Sequence, residues 1–143
     1  MKRFRLAAGL AGVVLAVAAV QAQIPPRSAK EGVYSAAQAT QGKAVYAERC
    51  QSCHGSMDTV TPDMAPLLND SGFQNLWKDR SLAQLFGRIY ETMPQDKPRT
   101  LSPQQTTDII AYILSANQLP AGDTALSTDL EILKEIRMDV VEP

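Results

Sequence analysis

Cys50-Gln51-Ser52-Cys53-His54 is the run on which the reading of this chain turns. Two thiols three positions apart can each bond one vinyl group of a single haem, and the imidazole that follows then lies under the iron. Cys50 and Cys53 are the only cysteines, and His54 the only histidine, among 143 residues. A structural zinc site needs four ligands, commonly built from two such pairs, and there is no second pair. A thioredoxin-type Cys-x-x-Cys sits at a strand-to-helix turn, and no strongly β-branched run precedes Cys50. A redox dithiol or a simple disulfide is therefore the weaker reading, as is an ordinary surface or core histidine.

The N-terminus argues independently for export. Lys2, Arg3 and Arg5 precede an apolar stretch from Leu6 to Val20, and Val20-Gln21-Ala22 offers a small-residue cleavage site. The stretch holds 15 residues, whereas a bilayer span needs about 20. Residues 1–22 are accordingly read as a cleaved signal peptide, with no membrane span in the mature chain. No cysteine lies near the cleavage site, so a lipid anchor is not indicated. The full chain carries 14 basic and 15 acidic groups, and the signal peptide removes three of the basic ones, which leaves the mature protein near −4. That balance argues against nucleic acid and anionic membrane surfaces as partners.

The remaining residues suffice for one small domain with modest capacity to bury apolar surface, which a large cofactor would fill out. Residues 23–34, with Pro25-Pro26 and few large apolar groups, read as a flexible leader. From about Ser35 to Arg49, Gly42, Val45, Tyr46 and Arg49 recur three or four apart, as on one helix face. A glycine inside a helix costs up to about 1 kcal/mol, so Gly42 suggests a close helix contact. No convincing periodicity runs from Gly55 to Arg80, and a loop of that length suits a chain that wraps a cofactor edge. Ser81 with Gln84 forms a capping box before Leu82, Leu85, Phe86 and Ile89, and Pro94 closes that helix. Ser102, Pro103 and Gln105 open a third helix, whose buried face is Ile109, Ile110, Ile113 and Leu114. After a domain over 35–119, residues 120–143 form a tail in which Thr128 and Glu131 cap a short helix striped by Leu130, Leu133 and Ile136. No strand alternation or internal repeat appears, so the fold class is all-α.

An iron held by His54 has a sixth position, and its occupant separates electron transfer from ligand chemistry. A second histidine is absent, which leaves methionine. Met1 departs with the signal peptide, and Met57 is too near His54 to cross the haem plane. Met93 precedes Pro94 at the end of a helix, where a stiffened backbone can present a thioether from a loop. It is preferred over Met64, over Met138 near the terminus and over an open site.

Taken with their neighbours, these residues resemble class I (mono-haem) cytochrome c over about Gln41 to Asn117. The resemblance is carried by Gly42-Lys43-Ala44-Val45-Tyr46, Cys50 to Gly55, Ala65-Pro66-Leu67-Leu68, Trp77, Met93-Pro94 and Ala111-Tyr112-Ile113-Leu114. It implies three to four helices around one covalently bound haem c, with Gly42 and Tyr46 meeting Tyr112 where the first helix crosses the last. It also implies that the Pro66 carbonyl accepts a hydrogen bond from His54, which would orient the imidazole. Trp77 resembles the tryptophan that donates to a haem propionate, or else is a half-buried packing aromatic.

The stretch Met93 to Leu114, and more loosely the tail, is similar to cytochromes fused to or encoded beside bacterial quinoprotein dehydrogenases. That implies a periplasmic electron carrier, not an enzyme, which accepts electrons from a pyrroloquinoline quinone-dependent dehydrogenase and passes them to a terminal oxidase. Two other readings differ in class. One is a sensor or peroxidase-like enzyme with an open sixth site, against which stands the lack of a distal histidine. The other is a cytochrome subunit of a membrane-bound oxidoreductase, anchored by an uncleaved N-terminus.

Overall fold

The computed structural model describes residues 24–58 and 68–139. Among them are six α-helices: α1 (Ala36–Arg49), α2 (Gln51–His54), α3 (Ser71–Trp77), α4 (Leu82–Thr92), α5 (Pro103–Ala116) and α6 (Leu130–Lys134). Two two-residue strands, β1 (Arg27–Ser28) and β2 (Ile136–Arg137), pair in parallel. The all-α expectation holds, with more helices than the three to four foreseen. No helix of the described residues is long and apolar enough to cross a membrane; the segment 1–22, read as a signal peptide, lies outside them.

Capping chemistry sets the helix starts. The Ser35, Ser81 and Ser102 hydroxyls accept from the backbone N–H groups of Gln38, Gln84 and Gln105. Gln84 and Gln105 return the bond to the N–H of their cap residues, and Pro103 occupies the first turn of α5. Each bond satisfies a donor that the helix itself leaves orphaned. Inside the stretch expected to be a long loop lies α3, which is a correction. Asp70 caps it by accepting from Phe73 N at 2.7 Å, and Phe73 and Trp77, four apart, turn into the core. A helix of seven residues carries too few apolar positions to announce a period.

The helix α5 is the axis of the core. Its expected face of four residues is part of a run, Thr106 to Leu114, in which every residue is buried. Helix α1 packs along α5, and α4 packs against it as well. A helix covered on several sides no longer needs a single stripe. At the α1–α5 crossing Gly42 lies directly on the Asp108 carbonyl, and the Tyr46 and Tyr112 rings meet edge to face at 5.4 Å. The suggested close contact at Gly42 is thus present.

Residues 23–34 are expected to be a flexible leader, and the structure corrects this from Arg27 onward. Ser28 caps a 3₁₀ turn, Ala29–Glu31, through a capping box, and Ala29, Val33 and Tyr34 are buried. The partner of this segment is the tail. Tyr34 Oη donates to the Leu119 carbonyl at 2.6 Å, and Gly122 N donates to the Tyr34 carbonyl at 2.7 Å. The Gln38 amide, fully buried on α1, donates to the Leu126 carbonyl at 3.2 Å and accepts from Leu126 N at 2.6 Å. Leu126, Leu133, Ile136 and Met138 are buried, so the tail is a strap on the domain. Its helix is capped by Asp129, which accepts from Glu131 N, and not by Thr128; Leu130, expected in the stripe, is 45% exposed.

Candidate haem-attachment site

The attachment run follows directly from the end of α1. Cys50 closes that helix, with its N–H donating to the Tyr46 carbonyl at 2.9 Å. Its own carbonyl accepts from Cys53 N at 3.1 Å and His54 N at 2.9 Å, which winds the single turn of α2. The turn ends at Gly55, whose φ of +71° is a conformation that suits glycine. The Gly55 carbonyl accepts from the buried Tyr46 hydroxyl at 2.9 Å. The end of the motif is thereby tied to the α1–α5 crossing.

The three motif side chains differ in setting. Cys50 is half-buried, Cys53 exposed and His54 half-buried. Burial pushes the Cys50 thiol up to about 11, against the opposing pull of the Arg49 cation. Cys50 and Cys53 are not joined in a disulfide, and among the described residues no three His, Cys, Asp or Glu side chains gather into a metal-binding group. Two separate thiols and an imidazole spread over one turn do not chelate a bare ion. They fit a large planar group that bonds each thiol at a different edge and offers its metal to the imidazole.

Met93 stands at the C-terminus of α4, where its N–H donates to the Ile89 carbonyl at 3.0 Å. Its half-buried side chain packs on the edge of the core, and Pro94 begins the turn beyond it. The other described methionines are core filler: Met57 and Met138 are buried. Met64 and Pro66 lie outside the described residues. Trp77, the last residue of α3, is buried against Phe73 at 6.1 Å, and the Arg80 guanidinium lies 5.5 Å over its ring. A packing role for Trp77 is therefore visible.

Sequence reasoning missed the residues that staple this region together. Arg49 Nη2 donates to Thr100 Oγ1 at 2.7 Å, which joins the residue before Cys50 to the loop after Met93. The only signal for Arg49 was its place on the α1 face, and Thr100 carried none.

The family described as cytochrome C oxidase, cbb3-type, subunit III, matches residues 37–113, more than half of the chain. A solved structure, the sulfane dehydrogenase SoxCD from Paracoccus pantotrophus, superposes with a TM-score of 0.52 at 20% identity, covering 80% of this chain and 60% of that one. Likeness at that identity speaks for the fold. The chain spans only about 60% of its matched neighbour's length. No curated protein matches.

Proposed function

The chain belongs to the family of cbb3-type cytochrome c domains, and hence to class I cytochrome c, and on that premise we propose that it is an exported, periplasmic mono-haem carrier of single electrons. The observation that carries this is the placement, inside one family match, of two free thiols, one imidazole and one helix-terminal thioether. Haem c bound here supplies a one-electron Fe(II)/Fe(III) couple. In this reading Cys50 and Cys53 would hold the group through thioethers, and the His54 imidazole and the Met93 thioether would ligate its iron. A thioether ligand from Met93 would favour the reduced metal and raise the potential. The Pro66 carbonyl would fix the imidazole, and Trp77 would donate to a propionate from its seat between Phe73 and Arg80.

Several settings in the chain support a carrier. Cys53 is exposed, which puts an attachment edge near the surface where a partner can dock briefly over a small area. The backbone that carries His54 is fixed on the Cys50 and Gly55 sides, so the root of the imidazole stays in place through repeated turnover. The proposed donor is a periplasmic dehydrogenase, of the pyrroloquinoline quinone-dependent kind, and the proposed acceptor a terminal oxidase. The matched neighbour is titled a dehydrogenase and the matched family an oxidase subunit. That family description also favours a second reading, a cytochrome subunit held within a larger oxidoreductase.

The test is the optical spectrum of the exported protein, oxidised and reduced, with carbon monoxide added to the reduced sample. Covalent low-spin haem, a weak near-red band lost in Met93→Ala, and no carbon monoxide shift are the expected result. A high-spin spectrum that shifts with carbon monoxide overturns the carrier reading in favour of a ligand-binding protein. The intact mass and the sedimentation of the native protein separate the free carrier from the subunit.

A further inference from the structure

We propose that Arg49 is a positioning residue for Met93, holding the loop beyond it through Thr100; this rests on the reading of Met93 as the distal ligand. The loop from Pro94 to Thr100 leaves the end of α4 and is exposed beyond Pro94 until Leu101 turns into the core. It has little apolar burial of its own, and segments of that kind open most easily.

Polar ties of three kinds hold it. Lys97 N donates to the Pro94 carbonyl at 3.0 Å and Thr100 Oγ1 to the Lys97 carbonyl at 2.8 Å, so the loop is folded on itself. Arg99 sits at a φ of +61°, a strained conformation for a side-chain-bearing residue, and its guanidinium is held by Glu91 at 2.5 Å. That second tie returns to α4, the helix that already carries Met93. The third, Arg49 to Thr100 at 2.7 Å, alone among these reaches another element, and the element it reaches ends in Cys50.

The consequence is geometric. Cys50 and His54 are locked to the end of α1 by backbone bonds, whereas Met93 is placed by α4 and its loop. The Arg49 guanidinium spans the two, so the separation between the proximal and distal sides is set in part by one charge-assisted hydrogen bond. Losing it raises the population of loop-open molecules in which the distal position accepts an outside ligand, and apparent affinity for that ligand rises in proportion.

The test is imidazole titration of the oxidised holoprotein, followed optically, for the wild type, Arg49→Ala, Thr100→Val, the double variant and Thr100→Ser. An exposed charge-assisted tie predicts about three- to fivefold tighter imidazole binding in each of the first two variants. The double variant is expected to bind no tighter than Thr100→Val, which loses the bond to Lys97 as well, and Thr100→Ser, which keeps the hydroxyl, to behave as wild type. Wild-type affinity in both single variants, or additive effects in the double variant, overturns the proposal. A wild-type spectrum whose near-red band survives Met93→Ala overturns instead the ligand reading on which it rests.

Discussion

Substituting Gly42 by alanine should destabilise the protein although alanine is the better helix former. A Cβ built on Gly42 lies 1.7 Å from the Asp108 carbonyl oxygen and 2.4 Å from its carbon, while ordinary contact begins near 3.4 Å. The obstacle is backbone inside α5, so no side chain can swing aside. The two helices must part by roughly 1.7 Å at their crossing, which lifts Tyr46 from Tyr112 and opens gaps in a close-packed interface. Overpacking costs about 1–3 kcal/mol and occasionally more, and a displacement this large belongs at the upper end. Alanine returns about 1 kcal/mol of helix propensity, so a net loss of about 2 kcal/mol is expected. Gly87, in the interior of α4, is the internal control, since a Cβ there meets nothing within 4 Å. Gly87→Ala should stabilise by up to about 1 kcal/mol. The assay is urea unfolding of the purified proteins, followed by far-ultraviolet circular dichroism. A Gly42→Ala protein as stable as wild type would refute the close crossing of α1 and α5.

Three further outcomes follow from the same contacts. Gln38→Leu removes both hydrogen bonds to the buried Leu126 backbone; leaving these groups unpaired should cost about 2–4 kcal/mol, with limited proteolysis within 120–139 accelerated. Burial raises the pKa of Tyr34, Tyr46 and Tyr112 above the ordinary phenol value. The folded protein therefore keeps protons that the unfolded chain loses from about pH 10 upward. The urea midpoint should fall from pH 9 to 11, and Tyr46→Phe should show a shallower fall even though it starts lower for want of the bond to Gly55. Ser102→Ala deletes the cap of α5 and should cost about 1 kcal/mol, measured as a shift in the urea midpoint at unchanged slope.

The helices with a cap and a repeated apolar spacing were legible before any coordinates. Ser81 and Ser102 each stand where a local hydrogen bond begins a helix, and such bonds depend on neighbours only three residues away. The run Cys50 to His54 is local in the same way, since its two thiols and imidazole stand within five consecutive residues. Helix α3 was not, because its evidence is one aspartate and two aromatics.

Apart from the crossing at Gly42 and Tyr112, what joins distant parts of the chain was decided only by the tertiary structure. Nothing local in residues 27–34 indicates that Tyr34 will bond to Leu119, or that β1 will pair with β2 more than a hundred residues later. A leader with two prolines looks loose until the tail arrives to cover it. Likewise Arg49 reads as one more polar group at a helix end until the fold sets Thr100 beside it. Short-range hydrogen bonds and side-chain periodicity are written in the order of the residues, whereas burial and long-range polar ties depend on which surfaces the completed core leaves facing one another.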